Sequence, residues 1–381
     1  MNKWLKSLKT PCYVINEAAL INNLKTLSDL EISTGCKVLL AQKAFSAFAF
    51  YPLVAKYISG TTASGIFEAR LAHEEMQNKE NHVYSPAYKE DELKELVKIC
   101  DHIIFNSPEQ WQKFKKLIPE NVSAGLRINP ELSTQGGGIY DPCAPFSRLG
   151  STLKNIQGKD LGGIEGLHFH TLCEQDSDAL EVTLDEVIKK FGDLFPMLKW
   201  VNLGGGHHIT REGYDIRRLE KCIERVMKYG LDVYIEPGEA VALNAGWLAA
   251  SVLDIINHVG DDERRMILAV LDASAACHMP DVLEMPYTPK IIGAKEKGEG
   301  KFNYRFTGNT CLAGDIIGDY SFEYELKEGD KLLFCDMAIY SMVKNNTFNG
   351  IPLPSIAVLR ENGELETIKH FGYSDFKNRL S

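Results

Sequence analysis

The chain holds no Cys-x-x-Cys pair, no internal repeat and no low-complexity tract. It also lacks any run of about 20 apolar residues, the length needed to span a bilayer. Each absence removes a class of protein. Without paired cysteines, a zinc ribbon or a dithiol redox centre has nowhere to sit. The nine cysteines, an odd number scattered from Cys12 to Cys335, read as free thiols of a reducing, cytoplasmic compartment. The nearest approach to a membrane segment, residues 38–55, is interrupted by Gln42, Lys43, Ser46 and Pro52, so it reads as a buried strand running into a helix. The first ten residues, MNKWLKSLKT, alternate lysine with apolar side chains and offer no secretory core region. Basic residues are the minority, 42 against 52 acidic ones, for a net charge of −10. That balance repels nucleic-acid backbones and anionic lipid and suits a polycationic small molecule.

At 381 residues, 44% hydrophobic and 25% charged, the chain has the material for a full core in one large domain or two medium ones. Through its first two thirds, short apolar or β-branched runs alternate with stretches of helical period. Strands are expected at 37–42, 61–63, 82–86, 102–106, 123–128, 164–170, 200–203 and 232–236. Between them lie amphipathic stretches such as KEDELKELVKIC and PEQWQKFKKL. Eight such units over roughly 230 residues predict a (β/α)8 TIM barrel, with a doubly wound open sheet as the alternative. From about Leu243 the texture changes to short strand-like runs (MILAVLDAS, FNYRFTG, KLLFCDMAIYS) separated by Gly, Asp and Asn turns. The expectation is a barrel over residues 14–241 and a mostly β second domain, sandwich-like or barrel-like, from 1–13 and 242–381. The early strand 12–16 is expected at its edge.

In such a barrel the C-terminal strand ends line the active site. The first strand leads into Lys43, the fifth ends in Arg127, the sixth in His168 and His170, the seventh in Gly204-Gly205-Gly206 and the eighth in Glu236. Lys43 lies in an apolar run, where burial lowers an amine pKa and favours Schiff-base chemistry; a lysine that snorkels to solvent is the plainer reading. The glycine triplet either presents N–H groups to a phosphate or is simply a turn. Glu236 is suited to hold a pyridine nitrogen protonated or, equally, to form a structural salt bridge. His170 is placed to stack on a ring or to be a satisfied core residue. Together the four make the set that pyridoxal 5'-phosphate requires.

The motifs TPCYVIN, LAQKAFS, TTASGIFEARLA, LRINP, FSRLG, GLHFHTLCE, VNLGGGHHIT, EPGEA, GNTCLAGD and DMAIYSM, with FNG after it, cover nearly the whole chain. They resemble the fold type III pyridoxal-phosphate decarboxylases, the alanine racemase-like barrels that include ornithine, diaminopimelate and arginine decarboxylases. The resemblance implies that Lys43 carries the cofactor, His170 stacks on its ring, Arg127 supports it from beneath, Gly204, Gly205 and Gly206 cradle the phosphate, Glu236 pairs with the pyridinium and Tyr340 bonds the phosphate. It makes Cys311 the proton-donating cysteine, reaching the site of a neighbouring subunit in a homodimer. One departure stands out. Relatives carry arginine after E-P-G, whereas this chain has Glu239, so that phosphate contact is lost and a negative charge gained. With Asp272 and Asp315 in segments that match substrate-contacting positions, the implied substrate is a carboxylated polyamine, with another basic amino acid as runner-up. No metal is implied. Two other readings compete: a metal-dependent barrel hydrolase built on His168-x-His170 with His207, His208 or Cys173, and a non-catalytic carrier of pyridoxal phosphate.

Overall fold

A computed structural model describes residues 3–381. They divide into two compact units: Asn22–Val241, and the residues up to Ile21 together with Ala242–Ser381. The chain leaves the second unit after Ile21 and not after residue 13, because the first strand, β1 (Cys12–Asn16), is built into that unit's sheet.

Eight strands follow: β2 (Lys37–Ala41), β3 (Gly60–Ala63), β4 (Glu80–Tyr84), β5 (His102–Phe105), β6 (Ser123–Arg127), β7 (Gly166–His168), β8 (Trp200–Asn202) and β9 (Asp232–Ile235). They close into a parallel barrel in chain order, sealed by β9 against β2 through Lys37 opposite Tyr234 and Val38 opposite Ile235. That closure excludes the open doubly wound sheet. Strands such as β2, KVLLA, are apolar at nearly every position, as strands buried on both faces must be. The surrounding helices bury one stripe each. Ile216–Met227 turns Leu219, Cys222, Ile223 and Val226 inward, and its first turn is capped by the Asp215 carboxylate, which accepts the Arg218 N–H at 3.1 Å. Inside the barrel, the Trp200 indole occupies space that only glycine neighbours leave open. A Cβ at Gly125 or at Gly166, which faces Trp200 across the β7–β8 pair, would overlap its ring. β7 is shorter than expected, three residues rather than seven, because the backbone beyond His168 turns to meet side chains of the site described below.

The second unit is a nine-stranded sheet. Besides β1 it contains β10 (Gly246–Val259), β11 (Arg265–Leu271), β12 (Lys295–Glu296), β13 (Phe302–Thr307), β14 (Ile316–Phe322), β15 (Lys331–Cys335), β16 (Ser355–Leu359) and β17 (Leu365–Lys369). The order is β12-β14-β13-β11-β10-β1-β16-β17, with β15 also on β10. The expectation that residues 12–16 form an edge is corrected: β1 lies between β10, antiparallel, and β16, parallel. All but its last side chain are buried, a two-sided burial that an edge strand lacks. Tyr13, Leu248, Phe306, Phe322 and Phe334 anchor the core. Among the described residues no helix is long and apolar enough to cross a membrane, and none of the nine cysteines forms a disulfide.

Candidate active site

The C-terminal ends of the barrel strands bring charged groups into a dry layer. Glu236, just past β9, is buried and accepts from two donors: the Asn202 amide at 2.8 Å on Oε1 and His168 Nε2 at 3.2 Å on Oε2. Burial pushes its carboxyl pKa up, but the adjoining imidazole of His168 and the donated hydrogen bonds outweigh this and hold it down at about 2. Burial lowers the pKa of His168, with Glu236 pulling the other way. Both directions leave Glu236 ionised, with His168 Nε2 as its neighbour. The carboxylate thus persists as a buried anion held by Asn202 and His168.

Two further layers rest on this pair. The Tyr84 ring stacks on His168, centroids 5.5 Å apart, and the Arg127 guanidinium lies over Tyr84 at 4.4 Å. Tyr84 donates its hydroxyl to Asn106 Oδ1 at 2.6 Å, which fixes the ring. Arg127 donates to the His170 carbonyl at 3.2 Å, so it sets the backbone on which His170 stands. His170 Nδ1 accepts the Gly205 N–H at 2.8 Å, which places the imidazole proton on Nε2. Burial, then the charges of Lys43 and Arg127, holds its pKa well below the usual histidine range, and the ring is neutral.

The glycine triplet after β8 is required by shape. Gly204 and Gly206 have φ of +71° and +83°. A Cβ at Gly205 would stand 3.1 Å from His170 Cε1 and overlap the Glu236 carbonyl. Of the three N–H groups expected to face an anion, two are engaged within the site: Gly204 donates to Asn202 Oδ1 at 2.8 Å and Gly205 to His170. The Gly206 N–H is the member of the triplet left for an anion.

Lys43 follows β2 in a turn fixed by the buried Gln42, whose N–H donates to the Thr62 carbonyl at 3.2 Å. Its side chain keeps access to solvent, yet the protein crowding the ammonium lowers its pKa. Arg127 adds to that, and Glu236, Cys173 and Glu68 oppose it. Lys43 is therefore within electrostatic reach of Arg127 and Glu236, as expected for one site. Glu239 stands apart from Glu236, its Oε2 3.2 Å from His208 Nε2.

Four candidates belong to the sheet unit. Cys311 is exposed, and its N–H donates to Asn349 Oδ1 at 2.7 Å, tying the Cys311 turn to the F-N-G segment. Asp315 is buried and accepts from Thr310 Oγ1 at 2.6 Å, Ser274 Oγ at 2.8 Å and the Ala276 N–H at 3.2 Å. Asp272 accepts the Ser251 N–H at 2.7 Å within the sheet. Tyr340 has a positive φ of 52°. The expected substrate-contacting carboxylates of Asp272 and Asp315 are thus both occupied by structural donors.

Sequence reasoning missed Asn202, Tyr84 and Glu68. A polar Asn202 inside W-V-N-L-G was the available signal for the first; Tyr84 and Glu68 carried none. His168 and His170 turn to different partners, and among the described residues neither group of three metal-ligating side chains contains them. The hydrolase reading loses its ligand pair on that geometry.

Comparison with known proteins gives the family. The family model described as "Pyridoxal-dependent decarboxylase, C-terminal sheet domain" matches residues 12–338. A carboxynorspermidine/carboxyspermidine decarboxylase of Campylobacter jejuni is 45% identical, over 98% of this chain and 99% of its own. A carboxyaminopropylagmatine decarboxylase of Synechocystis is 42% identical, over 100% and 97%. The crystal structure of carboxynorspermidine decarboxylase complexed with norspermidine, from Campylobacter jejuni, superposes with a TM-score of 0.90 at 43% identity, covering 98% of this chain and 100% of that one. Matched by that family model over most of its length and by relatives at 45% and 42% identity along nearly all of it, the chain belongs to the pyridoxal-dependent decarboxylase family.

Proposed function

We propose that this protein is a pyridoxal 5'-phosphate-dependent decarboxylase that converts carboxynorspermidine and carboxyspermidine to norspermidine and spermidine. The observation that carries the cofactor is Glu236: a buried carboxylate held ionised by His168 and Asn202, with no lysine or arginine hydrogen-bonded to it among the described residues, suits a cationic partner, and a protonated pyridine nitrogen is one. The rest of the donor set fits. Lys43 offers an amine whose ammonium form is destabilised, His170 a neutral ring face, Arg127 the support beneath it, and Gly206 an N–H for the phosphate, to which the family resemblance adds Tyr340. Gly204 and Gly205 shape the turn and orient Asn202 and His170.

Bound pyridoxal phosphate supplies an electron sink for the pair left on Cα when carbon dioxide departs. Everything else falls to the chain. Lys43 would hold the cofactor at its aldehyde group through Nζ, an amine suited to that role by its lowered pKa. Glu236 holds the ring nitrogen's proton in place. His170, locked by Gly205, keeps water from one ring face. Cys311 donates the proton that replaces carbon dioxide at Cα. Asp315 becomes a positioning residue for that cysteine, since it ties Thr310, one residue away, to Ser274 and Ala276. Asp272 drops out of the substrate contacts because its carboxylate serves the sheet. Cys311 acts on the site of a neighbouring subunit in a homodimer of cytoplasmic location, supported by its exposure and by nine cysteines that form no disulfide.

The polyamine assignment is supported by whole-chain identities of 45% and 42% to enzymes of carboxylated polyamines. It is also supported by the acids at the barrel mouth, where Glu174 and Glu239 attract ammonium groups and repel the second carboxylate of diaminopimelate. The test is an absorbance spectrum of the reconstituted protein before and after adding carboxyspermidine, with carbon dioxide followed in the same cuvette. A cofactor band that shifts as gas evolves is expected. No band after reconstitution rejects the cofactor; faster turnover of carboxyaminopropylagmatine than of either triamine reassigns the substrate.

A further inference from the structure

The loops after β7, β8 and β9 deliver one side chain each to a second cluster, beside the glycine turn and separate from Glu236. Glu174, His208 and Glu239 place one ligand-capable atom each within 4.8 Å of the others. Backbone bonds hold them there. Gln175 N–H donates to the Gly206 carbonyl at 3.0 Å, and His208 N–H to the Gln175 carbonyl at 3.2 Å. Thr210 donates its hydroxyl to the Ala240 carbonyl at 2.6 Å, lacing the His208 loop to the segment that carries Glu239.

His208 is the informative member. Its residue is 6% exposed, and neither ring nitrogen makes a hydrogen bond. Nε2 stands 3.2 Å from Glu239 Oε2 without hydrogen-bond alignment, so a buried imidazole is aimed at the two carboxylates and left unsatisfied. The spacing of the His208–Glu239 pair, 3.2 Å, bears on what fits between them. Two ligands of one tetrahedral zinc, each about 2.1 Å from the ion, stand about 3.4 Å apart, close to the observed pair. An ammonium at about 2.9 Å from each acceptor would need them nearer 4.7 Å apart. One imidazole with two carboxylates also favours zinc or cobalt over calcium or magnesium, which prefer oxygen alone. The other group of three, Glu80, His82 and His102 at the opposite barrel end, is less suited. Its imidazoles stack face to face at 4.0 Å, so their in-plane lone pairs run side by side, and Lys37 already pairs with Glu80.

We infer that Glu174, His208 and Glu239 form a binding site for one zinc-class divalent ion at the barrel mouth. Occupancy would neutralise the two carboxylates that attract a polyamine, so bound metal should raise KM for carboxyspermidine several-fold at nearly constant kcat. That consequence rests on the decarboxylase reading; the binding itself does not.

The experiment is equilibrium dialysis of the chelator-treated holoenzyme against zinc, with metal analysis, and a parallel cobalt titration read by its visible absorbance. One ion per chain is expected, together with a cobalt spectrum of low coordination number. His208→Gln and Glu239→Gln should each weaken binding by about 10- to 100-fold. Glu174→Gln, at an exposed position, gives a variant expected to fold and to weaken binding too. No stoichiometric ion in the wild-type protein, or one equally tight in all three variants, overturns the site. Metal binding without any carbon dioxide release from the same wild-type batch would instead overturn the decarboxylase reading and leave the site standing.

Discussion

The two ends of the barrel both bury charge, and they do it in opposite ways. At the N-terminal end Lys37, Glu80, His82, His102, Trp200 and Tyr234 form a closed set. Lys37 and Glu80 pair directly, Glu80 Oε2 also meets His82 Nε2 at 3.0 Å, and aromatic rings cap the group. At the C-terminal end Glu236 is hydrogen-bonded to no lysine or arginine among the described residues. It is held by Asn202 and His168, while Lys43 and Arg127 lie within electrostatic reach of it and disfavour each other as like charges. A charge neutralised by a fixed partner serves the fold, whereas a charge kept ionised with capacity to spare serves a ligand.

Substitutions can separate these two uses. Lys43→Ala should remove at least about a thousandfold of steady-state carbon dioxide release from carboxyspermidine, and appreciable turnover would place the cofactor's anchor elsewhere. Glu236→Gln keeps an acceptor for Asn202 but discards the charge. It should lower kcat by about 100-fold or more with an unfolding midpoint close to wild type. The mirror experiment at the other end is Glu80→Gln, which should leave kcat within about twofold while lowering stability by about 1 kcal/mol, since Lys37 is partly exposed and solvent screens its pair. Equal catalytic losses in the two glutamine variants would dissolve the distinction between the ends.

Acid should reveal the closed end as well. Burial, then the charge of His82, depresses the His102 pKa from 6.5 to about 2, and Glu80 is held at about 2 by His82 and Lys37 against its burial. Above pH 6.5 His102 is neutral in both states and contributes nothing to the pH dependence. As pH falls below 6.5 the unfolded chain takes up a proton that the folded chain refuses, and stability is lost, by at most about 1.4 kcal/mol per pH unit. Glu80 adds a loss of the same sign as pH falls below about 4.5. Urea midpoints measured from pH 7 to pH 4 should therefore decline, and His102→Gln should flatten the upper part of that decline. An unchanged slope would show that His102 does not resist protonation in the folded protein.

Much of this was readable before any coordinates. All eight barrel strands were legible because parallel strands buried on both faces are apolar runs, and amphipathic helices separate them. The strand ends were legible as candidate positions because a barrel of this kind carries its chemistry there. The misreadings have physical causes. A five-residue strand looks the same at an edge as in the middle of a sheet, so β1 was misplaced. Tyr84 was invisible because its part is to stack between His168 and Arg127, which come from other strands. The glycine turn read as three donors, but two of its N–H groups meet Asn202 and His170, partners that only folding supplies.

By itself, the sequence determined the class of fold, the candidate reactive side chains and the surplus of negative charge, since periodicity, residue type and net charge are properties of the chain. Tertiary structure decided the ionisation of Glu236 and the neutrality of His170, the structural donors on Asp272 and Asp315, and the meeting of Glu174, His208 and Glu239. Each of those depends on distances of a few ångströms between residues far apart in the chain, where burial and a single donor or acceptor fix the state of a charge.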